Sequence, residues 1–132
     1  EAVKDVSGDT LYVSSGTGFT AIKISDNSVP FQITGISNHP FGLAVSPDQA
    51  HVALACYEEH AVKIYTTAGS YLTTVSVGTG PKGLAYSPDG KYLYVTNSGS
   101  SSITPISRSG NSYTAQTPKT VGSGPWGIAV TP

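Results

Sequence analysis

Short runs of apolar and β-branched residues, each about five or six positions long, recur along the chain and are separated by turn-forming residues. Residues 83–87 form one such run and residues 92–96 form the next. Between them, Ser-Pro-Asp-Gly at 87–90 is a tight-turn sequence, because Pro fixes φ, Asp caps the turn and Gly tolerates a positive φ. No segment shows the helical period of 3.6 over ten residues. The pattern therefore predicts an all-β chain of short strands joined by tight turns.

The same pattern recurs three times. A lead-in of the form Pro-x-Gly-[Leu/Ile]-Ala begins at Pro40, Pro81 and Pro125, which are 41 and 44 residues apart. A second block, rich in strand-forming residues, occurs at 10–14, 51–56 and 92–97. Aligning the blocks makes residues 7–132 three repeats of about 42 residues, with residues 1–6 as an N-terminal overhang. Four short strands in each repeat is the spacing of a β-propeller blade.

Each blade is expected to have an inner, a second, a third and an outer strand. The predicted strands lie near 42–46, 83–87 and 127–131 (inner), 10–14, 51–56 and 91–96 (second), 20–25, 61–66 and 102–107 (third), and 29–35, 71–77 and 113–121 (outer). The resulting blades cover 7–37 (strands two to four only), 38–78 and 79–122, followed by the inner strand of a next blade at 123–132.

A known repeat family matches this pattern. The block Ser-Pro-Asp-Gly-Lys-Tyr-Leu-Tyr-Val-Thr-Asn at 87–97 resembles the YVTN β-propeller repeat, and the lead-in is also similar to the related NHL repeat. The second blade departs most, with Tyr-Glu-Glu-His at 57–60 instead of an Asn-Ser-Gly-Ser type of loop. The resemblance implies a propeller of mostly six or seven blades that is often exported or on the cell surface. Some relatives are sugar-lactone hydrolases, although fold alone does not give function.

Three four-stranded blades are too few to close a ring, since propellers have about 4–8 blades. The predicted strands at 127–131 and 10–14 would each present an unpaired edge. Two copies related by a two-fold axis would close a six-bladed ring, in which the inner strand of each chain completes the first blade of the other. We therefore expect a homodimer. The alternatives are a piece of a longer propeller chain and a nine-bladed trimer.

Composition limits the kinds of partner and site that the chain can have. Charged residues make up 11% of the chain and the formal net charge is −1. No basic block is present, which excludes nucleic-acid binding through counterion release. No run of 18 apolar residues occurs, so we expect no membrane insertion. The single cysteine excludes an internal disulfide framework and a Cys-based zinc site. The hydroxyl-rich, charge-poor composition favours an extracellular or cell-surface location.

The first candidate site is formed by the residue that follows proline in each lead-in, namely Phe41, Lys82 and Trp126. These positions lie where the inner strands begin, at one mouth of the central channel. Aromatic faces with a cation between them suit sugar stacking or an anionic ligand. The sequence therefore predicts ligand binding here, with packing of Phe41 and Trp126 between blades as the alternative.

The second candidate site is a polar cluster in the second blade, made of His39, Glu58, Glu59 and His60. The loop before an inner strand and the loop between strands two and three open on the same side, so His39 is expected near the other three. Two imidazoles and a carboxylate can bind a divalent metal or act as general acid and base. The alternative is a solvated polar loop, and no cofactor is expected unless the side chains converge.

Four further residues have simpler interpretations. Asp48 and Asp89 are assigned to tight turns, His51 to the surface, and Cys56 to a buried, unreactive position in a strand.

Three functions remain open. The first is a non-enzymatic binding scaffold that contacts a protein or a glycan on the channel face. The second is a metal-assisted lactone or ester hydrolase that uses the polar cluster. The third is a purely structural module, such as a surface-layer or engineered repeat.

Overall fold

The computed structural model of the chain describes residues 2–4 and 8–132, with residues 3 and 4 described through their backbone alone. Three antiparallel sheets follow one another along the sequence. Their strands are, in chain order, β1 (Ala2–Lys4), β2 (Thr10–Ser15), β3 (Gly18–Lys23), β4 (Phe31–Ile33), β5 (Pro40–Val45), β6 (His51–Cys56), β7 (Ala61–Thr66), β8 (Tyr71–Ser76), β9 (Pro81–Tyr86), β10 (Tyr92–Asn97), β11 (Ser102–Ser109), β12 (Ser112–Ala115) and β13 (Lys119–Thr120). Among the described residues, no helix has the length and hydropathy needed to cross a membrane.

Each sheet is a meander, in which consecutive strands pair through short turns. The first strand of the second and third sheets ends in a turn held by an aspartate. Asp48 accepts hydrogen bonds from the Ser46 hydroxyl at 2.6 Å and from the Ala50 amide at 3.1 Å. Asp89 accepts the equivalent two bonds at 2.6 and 3.0 Å. The predicted turn role of both aspartates is confirmed.

The predicted second and third strands match β2, β6 and β10 and then β3, β7 and β11 to within about two residues. The outer strand predicted at 113–121 is instead divided into β12 and β13, which pair with different parts of β11. Pro118 lies between the two and lacks the N–H that a continuous ladder needs.

The first sheet contains an inner strand that the sequence analysis did not predict. β1 pairs antiparallel with β2, with Lys4 opposite Leu11 and Ala2 opposite Val13. In the third sheet Tyr86 and Leu84 take the corresponding places opposite Leu93 and Val95. Residues 2–4 of the supposed overhang therefore stand in inner-strand register, and the edge of β2 expected to be free is paired.

The inner strand predicted at 127–131 is not formed, since residues 125–132 have no regular secondary structure. A strand requires a neighbour with which to exchange hydrogen bonds, and no strand among the described residues pairs with this segment. The segment nevertheless packs on the third sheet, because the Thr96 hydroxyl donates to the Trp126 carbonyl at 2.7 Å. Its position is that of an inner strand without its partner.

The hydrophobic core lies between the sheets, in two clusters. Between the first and second sheets the buried apolar residues are Tyr12, Phe19, Ala21, Ile36, Leu43, Val52, Leu54, Cys56 and Tyr65. Between the second and third sheets they are Ala44, Ala53, Ala55, Val62, Ile64, Val75, Leu84, Leu93, Val95 and Ile106. Strand β6 contributes alternate residues to both clusters, and all six of its residues are buried.

The far face of the third sheet is less covered. Tyr94 takes the place in β10 that Tyr12 takes in β2, since Leu11 and Leu93 have the same register in their sheets. Tyr12 is 3% exposed beneath the second sheet. Tyr94 is half-buried and stacks on Tyr92, which is 41% exposed, at a centroid distance of 6.0 Å.

Candidate functional site

The three residues predicted at the channel mouth come together. Phe41 and Lys82 are the second residues of β5 and β9, one position after the proline that begins each strand. Trp126 lies at the same repeat position in the C-terminal segment. The space between them is called the inner-strand pocket below, and Phe41, Lys82 and Trp126 are its defining residues.

The Lys82 ammonium lies between aromatic rings. Its Nζ is 3.5 Å from the Trp126 ring centroid and 5.2 Å from that of Phe41. The two rings meet edge to face at 5.9 Å, with an angle of 87° between their planes. Both the cation–π and the perpendicular aromatic arrangements are attractive. The aromatic rings therefore hold Lys82 in place.

A third ring, from Tyr57, completes this surrounding and was not predicted. Tyr57 follows β6 and meets Phe41 at a centroid distance of 5.3 Å. Its own centroid is 5.5 Å from Lys82 Nζ. A signal was present in the sequence, because the loop between strands two and three opens on the side where the inner strands begin.

The pocket has a volume of about 480 Å³, which lies within the range of small-molecule sites. Its lining residues are mostly apolar side chains and glycines, and Lys82 is the ionisable residue among the described residues that line it. Trp126 is 59% exposed, so the ring is accessible from outside. The arrangement can stack a flat or ring-shaped ligand and attract an anionic group.

Two equivalent hydroxyls fix the aromatic walls. Ser14 of β2 donates to the Phe41 carbonyl at 2.9 Å, and Thr96 of β10 donates to the Trp126 carbonyl at 2.7 Å. Thr96 also accepts the Gly83 amide at 2.8 Å. A Cβ on Gly83 would lie 2.2 Å from the Trp126 carbonyl oxygen, so glycine allows the segment to approach.

The polar cluster is only partly assembled. His39 Nδ1 lies 2.6 Å from Glu58 Oε1, which confirms that the two loops meet. Both side chains are exposed, at 61% and 47%. The pair is a hydrogen-bonded imidazole and carboxylate, an arrangement that can accept or deliver a proton.

The other two members of the cluster have different partners. Glu59 accepts a hydrogen bond from the Ser37 hydroxyl at 2.7 Å. His60 Nδ1 accepts the Gly80 amide at 3.1 Å. In the part of the chain that the structure describes, no three His, Cys, Asp or Glu side chains are grouped as metal ligands. The four residues are therefore neighbours in the loops without forming one coordination site.

A buried network at the other end of the sheets was also missed, and it corrects the assignment of His51. His51 was predicted on the surface but is 3% exposed. Its Nδ1 is 2.7 Å from the Tyr113 hydroxyl and its Nε2 is 3.0 Å from Asn111 Oδ1. Tyr113 in turn lies 2.9 Å from the Tyr86 hydroxyl. The strand pattern around residue 51 cannot show these groups, which come from about 60 residues away in the third sheet.

Charge and burial set the protonation states of this network. Burial and the nearby Arg108 charge lower the pKa of His51. Burial would raise the pKa of Asp48, but the ion pair with Arg108 at 2.7 Å and the Ser46 hydroxyl bring it below its usual range. A neutral His51 that donates from Nε2 to Asn111 Oδ1 can accept a hydrogen bond from the Tyr113 hydroxyl at Nδ1. The network therefore fits a neutral imidazole beside a charged Asp48–Arg108 pair.

Cys56 is fully buried in β6, as predicted. Burial raises the pKa of its thiol, so little thiolate is present near neutral pH. The Cys56 thiol also donates a weak hydrogen bond to the Leu54 carbonyl, at 3.7 Å.

Solved structures resemble the whole chain. The hydrazine synthase of Kuenenia stuttgartiensis matches 96% of it with a TM-score of 0.86 and 26% identity. A functionally unknown protein from Desulfotomaculum acetoxidans matches 98% of the chain with a TM-score of 0.87 and 18% identity. The periplasmic gluconolactonase of Pseudomonas aeruginosa matches 92% of the chain with a TM-score of 0.74 and 16% identity.

The likeness extends to part of each of these proteins. The chain spans 37%, 44% and 42% of their respective lengths. No protein-family model and no curated protein matches the chain. The structural neighbours are β-propeller proteins. Three consecutive antiparallel sheets together with these likenesses show that the chain has an all-β, propeller-like fold.

Proposed function

We propose that this protein is a non-enzymatic β-propeller binding module that contacts a glycan through the inner-strand pocket. The convergence of Phe41, Lys82 and Trp126 around one cavity supports this proposal, and Tyr57 packs against Phe41 and Lys82. A cavity of about 480 Å³ suits a small ring-shaped unit better than a protein surface, which needs a larger contact area. Contact with a protein stays the alternative for the same face. The hydroxyl-rich composition favours an extracellular or cell-surface setting for such binding.

A glycan array tests this proposal. The unmodified protein should retain a subset of glycans, and Trp126→Ala should lose them because the stacking ring is removed. Tyr92→Ala is the matched control, since it removes an exposed ring that lies outside the pocket lining. An array with no retained glycan, or equal loss in both variants, would contradict the proposal.

A hydrolase is the second candidate, and the His39–Glu58 pair favours it. An imidazole 2.6 Å from a carboxylate can serve as a general base toward water. One structural neighbour is named a gluconolactonase. A divalent ion would have His39 and Glu58 as its nearest available ligands, while Glu59 and His60 would have to leave Ser37 and Gly80.

Lactone hydrolysis measured by pH-stat separates the two candidates. The hydrolase proposal expects turnover that falls in His39→Gln and in Glu58→Gln. Protein prepared without chelator should then be analysed for Ca²⁺ and Zn²⁺, which would report a metal-assisted route. Absence of turnover over the spontaneous rate eliminates the hydrolase.

We further propose that two copies of the chain close a six-bladed ring. The C-terminal segment already packs on the third sheet as an unpaired inner strand would. By the repeat register Val130 corresponds to Tyr86, so exchange would bring Val130 opposite Leu11 of the second copy. Exchange must displace β1, which occupies this position. The alternatives are a piece of a longer propeller chain and a nine-bladed trimer. The first alternative agrees with the matched proteins, which are all longer than this chain.

Cysteine crosslinking tests this pairing. Leu11→Cys combined with Val130→Cys should give a covalent dimer on oxidation if the strands exchange. Leu11→Cys combined with Lys4→Cys should give an intrachain bond if β1 stays paired. Native mass spectrometry of the unmodified chain should show twice 13.6 kDa. A monomer in which only the second pair crosslinks contradicts the ring.

A further inference from the structure

We propose that the inner-strand pocket selects carbohydrate units that carry a carboxylate. This inference rests on the proposed glycan-binding function and adds the chemical class of the ligand. It depends on three properties of Lys82. Its ammonium lies outside the ion pairs of the described residues, it lies over the Trp126 ring, and it carries a single positive charge.

Lys82 forms no ion pair within 4 Å with any carboxylate of the described residues. In the described part of the chain, the ion pairs with N···O distances up to 4 Å involve Lys23, His39 and Arg108. Lys82 instead lies among three aromatic rings. A half-buried ammonium without a carboxylate makes the pocket locally positive, and a ligand anion placed there forms a charge-assisted hydrogen bond.

A neutral sugar has to compete with Lys82 for the same ring. Lys82 Nζ lies 3.5 Å from the centroid of Trp126 and therefore covers one face of the indole. A sugar that stacks on this face must displace the ammonium and lose the cation–π attraction. A carboxylated sugar compensates for this displacement, because the freed ammonium pairs with the carboxylate while the sugar ring takes the indole face. The same two residues thus favour acidic over neutral units.

The charge of the pocket matches a carboxylate better than a phosphate. Lys82 supplies one positive charge and is the ionisable residue among the described lining residues. A phosphomonoester carries about −1.5 to −2 at neutral pH and has three acceptor oxygens. One ammonium would leave part of that charge and most of those acceptors without a partner. A carboxylate carries a single charge that one ammonium balances.

Titration of the full chain with three probes tests the inference. The probes are trigalacturonic acid, a neutral galactose trisaccharide and galactose 6-phosphate, with Trp126, the one tryptophan of the sequence, as fluorescent reporter. The unmodified protein should bind the acidic trisaccharide about tenfold more tightly than the neutral one, a difference of about 1.4 kcal/mol. This preference should shrink as salt is added.

Variants at Lys82 should reverse the selectivity. Lys82→Gln should lose affinity for the acidic trisaccharide and bind the neutral one as well as or better than the unmodified protein, because the indole face is free. Lys91→Gln removes an exposed lysine in the turn before β10 and should leave both affinities unchanged.

Each failure identifies a different assumption. Equal affinity for acidic and neutral trisaccharides contradicts the inference while the proposed glycan binding stands. Tighter binding of galactose 6-phosphate than of trigalacturonic acid also contradicts it. If the unmodified protein binds neither these probes nor any glycan on the array, the proposed function and the inference both fail.

Discussion

The imidazole of His51 is enclosed between a phenol and an amide that belong to the neighbouring sheet. Because burial and Arg108 lower its pKa, the unfolded chain binds more protons than the folded one once the pH falls below about 6.5. The stability that this group contributes is therefore complete above about pH 6.5 and is lost as the pH falls from there through the lower pKa of the folded state. Asp48 and Arg108, the charged groups beside the network, keep their charges over this range.

The first prediction follows from the direction of this pH dependence. The urea midpoint of unfolding should decrease between about pH 7.5 and about pH 5.5, and His51→Gln should lose most of this decrease. His39→Gln, which changes an exposed histidine, should retain it. An unmodified protein with equal midpoints at both pH values would show that protonation of His51 does not oppose folding.

Single residues were predictable where the repeat determines them. Phe41, Lys82 and Trp126 follow equivalent prolines, so equivalent positions in space could be expected from their spacing. The partners of His51 and the contact of the Tyr57 ring with Lys82 depend on contacts between sheets, which no one strand pattern contains. The meeting of the two loops could be expected from the repeat, but the individual partners could not, since Glu58 bonds to His39, Glu59 to Ser37, and His60 to the Gly80 amide before β9.

Among the elements, the C-terminal segment departs most from its prediction. Its place on the third sheet agrees with an inner strand, but its hydrogen bonding does not, because a strand is defined by its neighbour. β1 shows the converse, since a short piece at the other end of the chain becomes a strand by pairing with β2. Sequence periodicity predicts which segments are able to form strands, and pairing decides which of them do.

The second prediction concerns the approach of this segment to β9. Gly83→Ala should displace the segment, since the added Cβ would lie 2.2 Å from the Trp126 carbonyl oxygen. The cost should be about 1–3 kcal/mol of stability, with a shift in Trp126 emission. Gly127→Ala is the control, because nothing lies within 4 Å of its Cβ position. Equal spectra for the two variants would disprove the close approach.

The third prediction concerns the hydroxyl that anchors Trp126. Thr96→Val keeps the shape of the side chain but leaves the Trp126 carbonyl and the Gly83 amide without this partner. Stability should fall by about 1–3 kcal/mol and the Trp126 emission should change. Ser14→Ala removes the equivalent bond to Phe41 and should reduce stability without altering the emission. Unchanged emission in Thr96→Val would contradict the anchoring role.

At the scale of the whole molecule, the sheets associate through repeated faces. Tyr12 is covered by the second sheet and its hydroxyl donates to the Thr67 carbonyl at 3.3 Å. Tyr94 has the equivalent place on the third sheet, where its neighbour Tyr92 is largely exposed. A face that repeats a buried interface is suited to cover the leading face of another blade with the same repeat.

The fourth prediction applies to the proposed ring. Tyr94→Lys should convert a species of twice 13.6 kDa into one of 13.6 kDa, because a lysine would be buried in the closing interface. Tyr71→Lys changes an exposed residue of β8 and should leave the mass unchanged. A Tyr94→Lys protein of undiminished mass would show that this face does not close the ring.

The three-sheet plan could be predicted from the sequence because repeats impose the same local pairing each time. The outward faces of the first and third sheets could not be treated in the same way, because their cover must come from groups outside the three repeats. The spacing of the proline lead-ins therefore predicted the sheets, whereas closure of the ring stays a prediction.

The burial of every residue of β6 has a consequence for the kinetics of hydrogen exchange. In a single copy that is not closed into a ring, sheets that contact only their neighbours behave as a linear array, in which an end unit opens at a lower cost than one held on both sides. Amides of β6 should therefore exchange with deuterium by global unfolding alone, while those of β2 and β10 exchange through partial opening that spares the centre. Mass spectrometry of peptides labelled over time should place the slowest group in the middle third of the chain. Uniform exchange across all three sheets would show a single cooperative unit instead.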